Sequence, residues 1–311
     1  MKRLQNRIAE SGFALPVMAV YAFIVWLYSG LVTAGWWPQL ACYTASVYLL
    51  AELSNGNALL RIRSRIISCS FIALSCMASM LFGSLTGNLS LLFCVSALLL
   101  LFSTYQNGQA VGRVFYAFIF LGGASMMHVQ TLWLVPAIWV LMATQLLAFN
   151  WRIWLSSVIG LLTPYWFLSL WFIYTQDFTP LAEHLSGLWA VGVPFDYSDV
   201  TVGQVAIYAL TLGLMLTGIV HFWHRSYEDK IRIRLLYGFF TYLGLLALLV
   251  VAILPQYFDP FIWLAFICAS PLVGHFVALT STRITNIAFI VIAVLMLLIT
   301  ILNLWMPSLS F

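Results

Sequence analysis

Long apolar runs alternate with short polar turns from one end of this chain to the other. Taken in order, the runs cover about 12–31, 38–54, 66–83, 89–103, 113–127, 129–149, 153–175, 204–223, 235–254 and 261–279, with a last one ending near Trp305. They are too long and too uniformly apolar for barrel strands, which alternate over about ten residues. In lipid, each crossing must satisfy its own backbone hydrogen bonds, so the runs read as helices. The pattern therefore predicts an all-α, polytopic helical membrane protein with about eleven transmembrane helices, built as one integral membrane domain over 1–311.

One stretch breaks the alternation. Gln176 to Gly203 is the only long interruption, and it holds Asp177, Glu183, Asp196 and Asp199, four of the nine acidic residues, with no Lys or Arg. Within it, 180–190 reads as a short interfacial helix whose Leu181, Leu185, Leu188 and Trp189 face lipid. Glu183 and His184 diverge by about 100° on such a helix and cannot serve one site together.

Composition agrees. The chain is 63% hydrophobic and 7% charged, with mean hydropathy +1.02, where a soluble domain carries about 25% charged residues. The basic N-terminus followed by an apolar run resembles a secretory signal, but the run exceeds a usual h-region and contains Trp26 and Tyr28, so an uncleaved first span is expected. Cys42, Cys69, Cys76, Cys94 and Cys268 all lie in apolar runs without metal spacing and read as small buried residues.

Charge fixes the orientation. With the N-terminus in the cytoplasm, the inner turns hold Lys2, Arg3, Arg7, Arg61, Arg63, Arg65, Arg113, Arg152, Arg225, Lys230, Arg232, Arg234 and Arg283, which are all 13 basic residues. Asp177, Glu183, Asp196, Asp199 and Asp259 fall outside, as does the C-terminus. Residues 176–203 then form an acidic periplasmic loop. The net charge of +4 follows the membrane and does not suggest nucleic acid. The expected partners are the lipid bilayer, anionic headgroups at the cytoplasmic face and membrane proteins. The mixed-sign turn around Tyr227 to Lys230 reads as solvated.

Few groups carry chemistry. Glu52, deep in the second run, is the candidate intramembrane acid, because a carboxylate at membrane depth is functional by default. Arg61 and Arg63 are its expected partners at the rim. Asp177, Glu183, Asp196 and Asp199 are the candidate polar or cation-binding set. His128, His184, His221, His224 and His275 divide between the two faces, and His221 and His224 have only weak metal spacing. No metal site, cofactor, phosphate loop or nucleophile elbow is expected.

Leu98 to Gln106 (LLLLFSTYQ), Gly122 to His128 (GGASMMH), Asn150 to Phe167 (NWRIWLSSVIGLLTPYWF) and Phe195-Asp196-Tyr197 resemble a family of uncharacterised polytopic membrane proteins from Bacteroidota, over the middle third of the chain. The resemblance implies a Gram-negative inner membrane and a role in envelope physiology. Family members sometimes labelled carotene-cleaving oxygenases need converging histidines for iron, and the histidines here are scattered.

Two functions follow. The first is a transporter-like or envelope-assembly component, with a cavity lined by Glu52, Asn88, Gln130 or Asn303. The alternative is a membrane glycosyltransferase-like enzyme acting on lipid-linked sugar at the outer face through the acidic loop. The outer turns lack the Arg or Lys that a lipid pyrophosphate would want.

Overall fold

The computed structural model describes residues 3–62, 64–190 and 192–305. The described residues are all-helical. In order they form α1 (Leu4–Glu10), α2 (Ala14–Ser29), α3 (Trp37–Gly56), α4 (Ile66–Met77), α5 (Leu85–Phe102), α6 (Val111–Met127), α7 (Val135–Thr144), α8 (Trp151–Thr175), α9 (Thr179–Ser186), α10 (Val202–Arg225), α11 (Ile231–Ile253), α12 (Phe258–Leu279) and α13 (Arg283–Trp305). Short 3-10 turns lie at Ser79–Leu81, Val129–Leu134, Ser226–Glu228 and Pro255–Tyr257.

Six helices, α5, α8 and α10 to α13, are long and apolar enough to cross a membrane. The pair α1 and α2 meets the same standard together but bends by 92° at Ser11 to Phe13, so α1 is set apart from the first apolar run, which α2 fills. Shorter apolar helices, α4, α6 and α7 with its preceding 3-10 turn, fill three of the remaining runs, and α3, 20 residues long but less apolar than the six, fills the run at 38–54. Polar side chains set the helix starts. Asn150 accepts from Ile153 N at 3.0 Å to open α8, Ser84 accepts from Gly87 N at 3.0 Å to open α5, and Thr201 and Gln204 form a reciprocal capping box at α10.

At the centre stands α12, buried along almost its whole length against α4, α5, α10 and α11. The surface is the opposite of a soluble protein's. On α8, Trp166, Phe167 and Trp171 are exposed; on α13, Ile287, Val291 and Leu298 are exposed. Apolar side chains pointing outward on spanning helices are solvated by lipid tails. Between such helices the hydrophobic drive is absent and close packing decides association. Glycine supplies it between α6 and α8: a Cβ on Gly160 would lie 2.4 Å from the Phe115 carbonyl oxygen, and one on Gly122 would lie 2.6 Å from that of Leu161.

Hydrogen bonds between sequence-distant turns sort into two sets. One joins Arg61 to Asp229, Gln5 to Thr280, Asn150 to Gly108 and Arg232 to Asn57. The other joins Gln39 to Gly83, His184 to Ser125, Tyr257 to Ala190 and Asn303 to Met77. The first set lies among the Arg-rich turns and the second among the turns without basic residues. The two ends of the bundle are tied separately.

Candidate functional site

The polar residues expected to share a cavity do not share one. Asn88 is buried and donates to the Phe82 and Ser84 carbonyls, Asn303 is buried and donates to that of Met77, and Gln130 lies beside Gly187. Glu52 is exposed on the outer side of α3 and makes no ion pair among the described residues. Arg61 turns away from it, and Arg63 lies outside the described residues.

The acidic loop is spread open. Asp177, Glu183, Asp196 and Asp199 are all exposed, and no three of them are placed to hold a metal ion. Asp177, just ahead of α9, accepts from Thr179 N at 2.9 Å, and Asp196 accepts from Ser198 N at 3.1 Å. These bonds hold both carboxyls below their ordinary range. The loop still docks. His184 Nε2 donates to the Ser125 carbonyl at 3.0 Å, and the Ser125 hydroxyl meets the Tyr165 hydroxyl at 2.8 Å. Trp133 Nε1 donates to the Leu188 carbonyl at 3.2 Å. His128 lies nearby with its Nε2 buried and without a protein partner, and burial, together with His184, pushes it below its ordinary pKa. Among the described residues, no group of three or more His, Cys, Asp or Glu is placed to hold a metal ion.

The convergent chemistry lies at the opposite, basic end. Helix α10 stops at Arg225, the turn Ser226–Glu228 follows, and Asp229 N donates to the Ser226 carbonyl at 3.0 Å. This tight turn aims the Asp229 side chain inward, where it is 1% exposed. One carboxylate oxygen accepts from Arg61 Nε at 2.6 Å, and the other accepts from His275 Nε2 at 3.2 Å. Arg61 also pairs with Glu228, which accepts from Arg225 at 2.8 Å. Both carboxylates push the Arg61 guanidinium still further toward the charged form, Asp229 most strongly. Removing charges from water costs several kcal/mol per ion, so such a pair persists only when its lone pairs and protons are satisfied.

His275 is fully buried one turn before the end of α12. Tyr237, Phe222 and His221 surround it, with ring centroids at 5.2, 5.1 and 5.4 Å. The Tyr237 hydroxyl is taken up by the Leu59 and Pro271 carbonyls. Because Nε2–H donates to Asp229, the neutral ring turns its Nδ1 lone pair away from the carboxylate. That nitrogen is buried without a protein partner, as is His221 Nε2. Arg232, one turn along, donates to Asn57 Oδ1 at 2.7 Å and lies over the Tyr105 ring at 5.5 Å.

The sequence pattern missed this cluster because its members are far apart in the chain and its central acid sits in a turn that looks solvated. The one available signal was a histidine inside an apolar run, near the basic end. No family model, curated protein or solved structure matches the chain.

Proposed function

We propose that this is a multi-pass protein of a Gram-negative inner membrane that works as a proton-coupled, transporter-like component. The chain threads the bilayer about eleven times, with its N-terminus cytoplasmic and its C-terminus periplasmic. Two observations support the threading. Each apolar run coincides with a helix or with a helix extended by a 3-10 turn. The two sets of turn-to-turn hydrogen bonds also follow the partition that the basic residues predict.

The observation that carries the functional reading is the buried Asp229–His275 pair, 3.2 Å apart, with His221 beside it. His275 and His221 lie inside α12 and α10, where ionisable residues are the parts of proton relays, and Asp229 meets His275 from the turn at the basic end. A proton taken at Nδ1 turns His275 into a cation, and Asp229 then faces two cations in place of one. Arg61 and His275 hold different oxygens of that carboxylate, so the added charge tightens α12 onto the turn after α10 while Arg61 stays in place. The change in that bond is what couples protonation of the ring to the turn.

The test is reconstitution into liposomes with a trapped pH dye, under an inward proton gradient and against a panel of solutes. At least one solute should trigger acidification that His275→Gln and Asp229→Asn abolish. Acidification unchanged in both variants would remove the reading. The exposed, separated acids of the outer loop give the glycosyltransferase reading no comparable constellation.

A further inference from the structure

A groove of about 510 Å³ runs between α2, α4, α12 and α13. Its walls are almost entirely apolar: Val17, Met18, Ala73, Val277, Phe289 and Met296 are representative. At one end Tyr21, which lines it, donates to Thr300 at 3.1 Å and ties α2 to α13. At the other end it reaches Ile8 of α1 and Ile66 of α4. A second cavity of about 410 Å³ opens on that same rim and is polar, lined by Ser54, Asn55, Ser64, Arg61 and Arg65 among others. Arg65 and Ile66 are consecutive, one in each cavity, and the Ser64 hydroxyl donates to the Ala9 carbonyl, joining the polar wall to α1.

We propose that the two cavities together hold one anionic phospholipid from the leaflet at the basic end, its headgroup against Arg65 and Arg7 and one acyl chain in the groove. Three features choose this occupant. The groove is open along its side, in a molecule whose surrounding face is apolar, so a lipid chain has lateral access. The polar cavity offers hydroxyl, amide and guanidinium donors suited to a phosphate. Arg61 is committed to Asp229 and Glu228, whereas Arg65, which lines the polar cavity, and Arg7, which lines neither cavity but precedes Ile8 of the groove, are exposed and make no ion pair among the described residues. A lipid tail gains little by leaving other tails for the groove, so the tail sets position and the arginines set selectivity. The inference rests on the membrane-spanning character of the helices and is independent of the proton-coupled reading.

The test is native mass spectrometry of the full chain, released from detergent after titration with phosphatidylglycerol or phosphatidylcholine of identical chains. One phosphatidylglycerol per chain should survive activation that strips phosphatidylcholine. Arg65→Gln should weaken it about five-fold, and Arg65→Gln with Arg7→Gln about thirty-fold. Lysine at both positions should retain it. Ala293→Phe, which fills the groove, should displace it while the circular dichroism and elution profile stay unchanged. Equal retention of the two lipids would overturn the proposal, as would phosphatidylglycerol binding indifferent to the arginine or groove variants. A second copy of the chain cross-linked through the groove would overturn it as well.

Discussion

Asp229 and His275, separated by 46 positions in the chain, meet at 3.2 Å with both side chains closed off from solvent. Arg61 reaches the other oxygen of the same carboxylate from the turn between α3 and α4. Three segments at the basic end thus meet at one side chain. Asp229→Ala leaves the buried His275 imidazole without its acceptor, while Arg61, partly exposed, keeps Glu228, and the loss should be about 1–3 kcal/mol. Thermal unfolding in detergent should show a large drop for this variant and a smaller one for Asp229→Asn, which keeps an acceptor oxygen.

Arg61→Lys should behave more like a deletion than a conservative change. Arg61 uses Nε for Asp229 and a terminal nitrogen for Glu228, and a single ammonium cannot hold that fork. Unfolding midpoints of Arg61→Lys and Arg61→Gln should lie closer to each other than either does to the wild type.

The contact between α6 and α8 predicts a second stability effect unrelated to charge. Gly160→Ala places a methyl group 2.4 Å from the Phe115 carbonyl oxygen. Backbone oxygens cannot rotate aside, so the helices must separate at a cost of about 1–3 kcal/mol. Gly213, with nothing within 4 Å of its virtual Cβ, is the control. Gly213→Ala should be neutral or stabilising by up to about 1 kcal/mol.

The acidic loop predicts a pH effect with a definite sign. Thr179 and Ser198 hydrogen bonds hold the Asp177 and Asp196 carboxyls below their ordinary values. Their ordering contribution is therefore complete above the usual carboxylate range near pH 4 and lost as pH falls through the depressed values. Cleavage of the loop by an acid-active protease should rise below that range, and Asp177→Asn with Asp196→Asn should flatten the rise. His184→Ala, which removes the contact to Ser125, should expose the loop even at neutral pH.

Much of this architecture was legible in the sequence because lipid imposes one rule on every crossing. Each apolar run holds a helix, and the polar turns fall where Asn, Gly, Arg and Ser interrupt the runs. The 92° bend between α1 and α2 falls where the first apolar run begins, but α1 itself, a short helix carrying Arg7, was announced by no apolar pattern. Glu52 drew attention by position alone, yet helix phase turns it outward. Asp229 was concealed by its neighbours: Glu228 and Lys230 make the turn look solvated, and nothing local announces that Arg61 and His275 come from far along the chain. Burial of a turn residue is decided by tertiary packing, which periodicity does not encode.

The proton-coupled account meets its most direct test in liposomes carrying wild-type protein and His275→Gln side by side, with lumenal pH followed after solute addition under an inward proton gradient. Wild-type vesicles should acidify, and His275→Gln vesicles, matched for amount, orientation and unfolding midpoint, should stay at the protein-free baseline. Acidification at the wild-type rate with glutamine at position 275 would contradict the assignment of the Asp229–His275 pair as the proton acceptor.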